Sequence, residues 1–307
     1  MRILLYEFVT GGGWHAFSTP PPASLLAEGA AMLGALAADF VALGGVSVEV
    51  LQDSRWGQFA PAGCTVHRVS STVEEQELLR RVSAACDWTV LIAPEFDGLL
   101  HARTVAVERS GGRLLSPGSA LVGLATDKHA TAEHLSRHGV RVPRGVALAP
   151  YSPLPSDFGY PAVLKPRDGA GSQGIELIAA PAADRVIGRS ACRLEQLCVG
   201  TPASVALLCG VDQRVSLPPC RQTLRSDGDF TYLGGALPLE PGLARRATRL
   251  AAQAVQCLPR PFGYLGVDVV LGHDPDGAED YAIEVNPRIT TSYVGLRALA
   301  AENLAAG

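Results

Sequence analysis

The stretch Tyr160-Pro161-Ala162-Val163-Leu164-Lys165-Pro166-Arg167-Asp168-Gly169-Ala170-Gly171-Ser172-Gln173-Gly174-Ile175-Glu176-Leu177-Ile178 decides the reading of this chain. Gly169, Gly171 and Gly174 satisfy the dinucleotide fingerprint G-x-G-x-x-G by spacing. That fingerprint needs a strand before the loop and a helix after it, because the pyrophosphate rests on the helix N-terminus. Here a strand pattern, Ala162 to Lys165, precedes the loop, and a second alternating apolar run, Ile175 and Leu177, follows it. Strand, glycine loop, strand is a hairpin whose tip can close over phosphates, with Lys165 just before it as a cation. The context excludes a nicotinamide cofactor and favours a nucleoside triphosphate.

Two strands near the C-terminus carry the complementary charge. Gly266-Val267-Asp268-Val269-Val270-Leu271 places Asp268 inside an otherwise apolar strand. Sixteen residues on, Tyr281-Ala282-Ile283-Glu284-Val285-Asn286-Pro287-Arg288 puts Glu284 and Asn286 on one strand face, since side chains alternate with period two. Buried acids in adjacent strands repel unless a positive group lies between them. Two carboxylates and an amide oxygen are hard ligands suited to Mg²⁺ on nucleotide phosphates. The plainer alternative is that both acids pair with Arg288 or another base. Between hairpin and acids, Arg193-Leu194-Glu195-Gln196-Leu197-Cys198-Val199-Gly200 reads as an acid-containing linker at the joint of two units.

The region before the hairpin alternates strand and helix patterns. Arg2 to Phe8 reads as a buried strand followed by the loop Gly11-Gly12-Gly13, and Ser24 to Gly44 as a helix. Val46 to Leu51 and Trp88 to Ala93 read as further strands, which together indicate an open parallel α/β sheet. The glycine triplet matches neither phosphate-loop motif and reads as a strand–loop–helix turn that can still line a cleft. The texture changes after Ser116-Pro117-Gly118, and Thr126-Asp127-Lys128 opens a helix to about His138. Strand patterns resume at Ser204 to Leu208, with a helix from Pro241 to Leu258 leading to the acidic strands. The expected domains are 1–118, 119–195 and 196–307.

Composition sets the outer bounds. The chain has 307 residues, 47% hydrophobic and 18% charged, which suits a globular α/β protein of two or three domains. A net charge of -4 and the lack of a Lys/Arg run give no footprint for nucleic acid or an anionic membrane. Seven scattered cysteines form no C-x-x-C pair, so reduced thiols in a cytoplasmic enzyme are expected. Glu7 arrives too early for a signal-peptide core, and Glu28 and Asp39 interrupt the apolar segment from Ser24 to Leu43.

Taken in order, Lys128, Lys165 with Gly169 to Gly174, Glu195-Gln196-Leu197-Cys198, Asp268 and Glu284-Val285-Asn286-Pro287-Arg288 resemble the ATP-grasp superfamily of carboxylate–amine ligases. The resemblance runs from about residue 120 to 290. It implies an ATP-grasp fold preceded by a pre-ATP-grasp α/β domain, and ATP with Mg²⁺ or Mn²⁺. It implies Lys128 and Lys165 on the α- and β-phosphates, with Gly169, Gly171, Ser172 and Gly174 closing over them. It also implies Glu195, Gln196 and Cys198 at the adenine, and Asp268, Glu284 and Asn286 as metal ligands. Arg288 and Lys165 would act on the transferred phosphate. One departure stands out: Thr201-Pro202-Ala203 lies where many members carry a ribose-binding glutamate.

The N-terminal segments Met1 to Phe8, Glu28-Gly29-Ala30-Ala31-Met32-Leu33 and Ile92-Ala93-Pro94-Glu95 resemble the tyramine–glutamate ligases of methanofuran biosynthesis. That resemblance implies an acyl-phosphate route from the γ-carboxylate of L-glutamate to an amide with tyramine or tyrosine. The substrates are then small molecules, an amino acid and an amine, and ligases of this kind are often homodimers. Glu7, His15 and Glu95 are candidate bases at strand ends, and Arg221-Gln222-Thr223 and Thr290-Thr291 are candidate substrate contacts. Two rivals remain: an amino-acid ligase with other substrates, and a non-catalytic ATP-binding sensor. A protein kinase is excluded, because Asp157-Phe158-Gly159 precedes the glycine loop and no H-R-D-x-x-x-x-N loop exists.

Overall fold

The computed structural model describes residues 1–57, 59–169, 173–180, 186–225 and 228–306. Its first sheet is built from β1 (Arg2–Glu7), β2 (Ser47–Asp53), β3 (Cys64–Val69) and β4 (Trp88–Ile92), all parallel in the order β3-β2-β1-β4. Alternate residues serve its two faces. Ile3, Leu5, Val48, Val50, Val90 and Ile92 pack beneath α1 (Ala23–Ala42). Leu4, Tyr6, Leu51 and Leu91 pack against α2 (Thr72–Ala85) and α3 (Leu99–Arg109). Strands covered on both sides read as continuous apolar runs, which is why β1 and β4 were legible from sequence. By length and hydropathy α1 would suffice to cross a membrane, but its Met32, Leu33, Leu36, Ala37 and Phe40 face is buried on the sheet.

Two helices follow, α4 (Ser119–Ala125) and α5 (Lys128–Arg137). Their apolar residues Leu121, Ala125 and Leu135 join the core of the C-terminal sheet. The second sheet is antiparallel, ordered β5-β8-β6-β7, from β5 (Gly145–Leu148), β6 (Ala162–Pro166), β7 (Glu176–Ile178) and β8 (Cys192–Gln196). The glycine hairpin is therefore real: Ala162 pairs with Ile178 and Leu164 with Glu176. This sheet has a small core of its own, including Leu154, Phe158, Leu164, Ile178 and Leu194. Phe158, the middle of the D-F-G coincidence, is one of its packing residues. The segment read as a linker begins as the central strand β8, buried from Cys192 to Glu195 because β5 and β6 flank it.

The third sheet is antiparallel and carries the acids. Its strands are β9 (Thr201–Cys209), β10 (Arg214–Ser216), β11 (Cys220–Leu224), β12 (Tyr232–Ala236), β13 (Gly263–Leu271) and β14 (Tyr281–Asn286). The order is β12-β11-β9-β13-β14, with β10 paired to β9. One face is covered by α6 (Pro241–Gln256), which Glu240 caps by accepting hydrogen bonds from the Gly242 and Leu243 N–H groups at 2.7 and 3.0 Å. Gly200 joins β8 to β9 where a Cβ would sit 2.2 Å from the Leu271 carbonyl oxygen, so no larger residue fits that crossing.

The last helix, α7 (Ser292–Leu299), returns to the first domain and docks on α1. Tyr293 donates its hydroxyl to Asp39 at 2.6 Å, and the Arg297 Nε donates to the same carboxylate at 2.9 Å. Asp39→Ala would leave the buried Tyr293 hydroxyl without its acceptor, and should lower unfolding free energy by roughly 1–3 kcal/mol. A denaturant midpoint equal to the parent's would contradict this anchoring role.

Candidate active site

Period-two alternation divides the third sheet into a core face and a working face. Ala203, Val205, Leu207, Leu265, Val267 and Val269 point into the core shared with α6. The intervening Pro202, Ser204, Asp268 and Val270 line a cleft of about 580 Å³. Asp268 lies directly opposite Glu284 across the β13–β14 ladder, and Asn286 follows two positions along. The acids share one face because antiparallel partners point the same way.

Their titrations are driven apart. Burial and the neighbouring Glu284 charge push the Asp268 carboxyl up to about 6, against the pull of its hydrogen-bond donors. Those donors are the Asn286 amide at 3.0 Å on one oxygen, the Gln222 amide at 2.9 Å on the other, and the Ser204 hydroxyl. Burial also pushes Glu284 upward, but Lys128, Lys165 and Arg288 overcome it, so Glu284 lies below the usual carboxylate range. Lys128 is 2.8 Å from the Glu284 carboxylate.

Lys128 opens α5, whose N-cap Asp127 accepts from the His129 and Ala130 N–H groups at 2.9 and 3.0 Å. The Lys128 backbone N–H donates to the Arg167 carbonyl at 2.8 Å, and its Nζ to the Gly169 carbonyl at 2.8 Å. The helix start, the end of β6 and the edge of the glycine loop are thereby joined. Burial lowers the Lys128 pKa, yet Glu284 and further acids raise it on balance, so the lysine stays charged. Lys165, 3% exposed on β6, sits 2.6 Å from Glu195. Arg193 donates to the other Glu195 oxygen at 2.7 Å. The Glu195 carboxylate is thus held between two cations at the cleft wall, while Gln196 and Cys198 line the cleft beyond it.

Arg288 forms a bidentate pair with Glu95 at 2.8 and 3.0 Å, tying the end of β14 to the end of β4. The two acids were open to pairing with Arg288; the structure gives Glu284 to Lys128 instead. Of the candidate bases, Glu7 lines the cleft and accepts from the Thr10 N–H and hydroxyl, both at 2.7 Å. Burial raises its pKa. Glu95 is committed to Arg288. His15 is a correction: it is not among the cleft-lining residues and lies 3.2 Å from Asp53, because the turn after β1 carries it toward the end of β2.

The structure therefore gathers Lys128, Lys165, Glu195, Asp268, Glu284, Asn286 and Arg288 around one cleft. Gly174 is in the left-handed region at φ +71°, consistent with a loop turn, and Gln173 and Ile175 beside it line the cleft. Gly171 and Ser172 lie outside the described residues. Gln222, Thr290 and Thr291 line the cleft, whereas Arg221 and Thr223 alternate to the exposed side of β11. Gln222 as a partner of Asp268 and Tyr232 as a wall were not legible in sequence; the only signal was the polar alternation of β11.

The donor set fits a hard dication. Asp268 and Glu284 oppose each other at close range, and Lys128 and the amide N–H groups that now touch them are contacts a metal would replace. A softer group, His134, His138 and Cys257, has ligand atoms within 4.8 Å of one another but does not line the cleft. Because the Gln222 amide favours ionised Asp268, Gln222→Leu should raise that pKa further above about 6. The acid limb of Mg²⁺-dependent nucleotide binding should then move to higher pH, and an unmoved limb would remove Gln222 from the metal site.

The fold and its two family matches have counterparts among known proteins. Residues 125–292 match the model of the ATP-grasp domain, and residues 46–122 that of the pre-ATP-grasp domain. The tyramine–L-glutamate ligase of Methanocaldococcus fervens is 28% identical over 211 residues, 69% of this chain and 62% of that protein. The corresponding ligase of Methanocaldococcus jannaschii is 24% identical over 297 residues, 96% of this chain and 84% of that protein. An ATP-grasp superfamily protein from Archaeoglobus fulgidus has the same fold, with a TM-score of 0.73 at 22% identity over 97% of this chain and 84% of that one. The chain belongs to the ATP-grasp family.

Proposed function

We propose that this ligase joins the γ-carboxylate of L-glutamate to the amine of tyramine or tyrosine, in making a methanofuran-like one-carbon carrier in the cytoplasm. The supporting observation is the likeness to the M. jannaschii ligase, which runs over 96% of this chain and so includes the N-terminal wall of the cleft. A non-catalytic sensor is disfavoured because Lys165, Asp268, Glu284 and Asn286 line one cleft and Lys128 pairs with Glu284 there.

In the proposed reaction a γ-carboxylate oxygen attacks the terminal phosphorus of ATP, and the bond to ADP breaks. The amine nitrogen then attacks the acyl carbon, phosphate leaves, and the nitrogen gives up a proton. Lys128, Lys165 and Arg288 supply positive charge where phosphate oxygens gather it. A divalent cation held by Asp268, Glu284 and Asn286 would neutralise further charge on those oxygens. Each of the three cations is now paired with an internal carboxylate, so phosphate binding exchanges one partner for another. When Lys165 turns to phosphate, Glu195 is released toward the purine edge. The Gln196 N–H is already bonded to the Arg144 carbonyl at 2.8 Å, and the Gln196 carbonyl accepts from the Cys198 thiol at 3.8 Å, a weak contact that adenine would replace. Closure of the glycine hairpin would exclude water, which otherwise hydrolyses an acyl phosphate.

The direct test is amine-dependent ADP release with ATP, Mg²⁺ and L-glutamate, using tyramine, tyrosine and a panel of amino acids. A γ-glutamyl product by mass with tyramine or tyrosine alone is expected; turnover only with another pair would replace the substrates and keep the reaction. Glu284→Gln should abolish ADP release with the fold intact by circular dichroism, and near-normal release would sink its metal role. Lys165→Ala should weaken ATP binding by roughly 1.5–3 kcal/mol in calorimetry, the range for a hydrogen bond to a charged group. Unchanged affinity would contradict the phosphate contact.

A further inference from the structure

Five carboxylates line the cleft: Glu7, Glu28, Glu195, Asp268 and Glu284. Four are occupied. Glu195 holds Lys165, Glu284 holds Lys128, Asp268 accepts two amides, and Glu7 accepts from Thr10. Glu28 alone has neither ion pair nor hydrogen bond among the described residues. A carboxylate left open inside a cleft, where neighbouring acids are all satisfied, is available for a cation that arrives from outside.

Its position is set by helical spacing. Ser24, Leu25, Glu28, Gly29 and Met32 form one stripe of α1 along the cleft, at the helical spacings of three and four residues. From that stripe the Glu28 charge acts on Arg288 on one side and on the Tyr232 phenol on the other. Gly29 lets the helix approach closely, since a Cβ there would lie 2.6 Å from the Glu7 carboxylate. Leu25, Met32, Phe96 and Tyr232 supply an apolar and aromatic surround at the same end.

Primary alkylamines, like the lysine side chain with a pKa of about 10.4, are cations at neutral pH. They must be brought beside the acyl group, where the cleft cations Lys165 and Arg288 are already paired with Glu195 and Glu95. We propose that Glu28 is the specificity-determining residue for the acceptor, docking its ammonium group and so selecting cationic primary amines over uncharged nucleophiles; the docked ammonium first loses one proton, through the Glu28 carboxylate to solvent, and the nitrogen lone pair so freed attacks the acyl carbon. The assignment rests on the ligase reading above. It goes further in naming the charge of the acceptor and the residue that reads it.

The test compares two nucleophiles on the full-length enzyme with ATP, Mg²⁺ and L-glutamate. Tyramine is the cationic acceptor, and hydroxylamine, uncharged at neutral pH, traps the same acyl phosphate as a hydroxamate. In Glu28→Gln the ratio of kcat/KM for tyramine to that for hydroxylamine should fall roughly tenfold or more, the size of one charge-assisted hydrogen bond. Glu28→Asp, which keeps the charge, should recover part of the ratio. Glu28 is exposed, so neither variant threatens the core. An unchanged ratio in Glu28→Gln, or an equal loss in both variants, would overturn the assignment. Absence of hydroxamate and of amide from the parent enzyme would overturn the glutamate reading itself, and this inference with it.

Discussion

The structure turns on the placing of Asp268 and Glu284 face to face on neighbouring strands, inside the protein and beside each other. Such a pair is unfavourable by burial and by repulsion alike. The fold offsets it with Lys128, drawn in from the start of α5, and with amides from Gln222 and Asn286. A second buried triad, Lys165, Glu195 and Arg193, repeats the arrangement on the opposite wall. Buried ion pairs of this kind contribute little net stability, because desolvation consumes most of the Coulombic gain. Their value here is that charge is already in place and exchangeable: a phosphate can take the lysine, and a cation can take the carboxylate it leaves.

That exchange needs three units in register. The third sheet presents its acids because alternate positions of β9 and β13 are committed to α6. The second sheet brings Lys165 and Glu195 with a small core that it shares with neither neighbour. The first sheet closes the far side, joined through the Arg288–Glu95 pair and through Asp39 under α7. In the proposed reaction the phosphate contacts would lie on the C-terminal units and the acceptor contact on the N-terminal wall.

Several elements were legible in the chain alone for a plain reason. Strands buried on both faces are uniformly apolar, so β1, β4 and β13 announce themselves, and an acid within such a run stands out. The glycine hairpin was legible because strand patterns flank it. The half-exposed strands β10 to β12 were not, since Arg221, Gln222 and Thr223 carry no hydrophobic period and glycines interrupt β12. The strand β8 read as a linker because its charges, Arg193 and Glu195, become a buried pair only once β5 and β6 flank it and Lys165 joins them.

What the sequence determined by itself was the order of chemical groups: lysine, lysine and glycine loop, the acidic Glu195 segment, acid, acid with amide, arginine. That order follows from local patterns, which depend on neighbours a few residues apart. Only the tertiary structure decided the partners, because pairing depends on distances between residues far apart in the chain. It gave Lys128 to Glu284 rather than to solvent, Arg288 to Glu95 rather than to Glu284, and His15 to Asp53 rather than to the cleft. It also left Glu28, one exposed acid on a long helix, facing the cleft without a partner among the described residues.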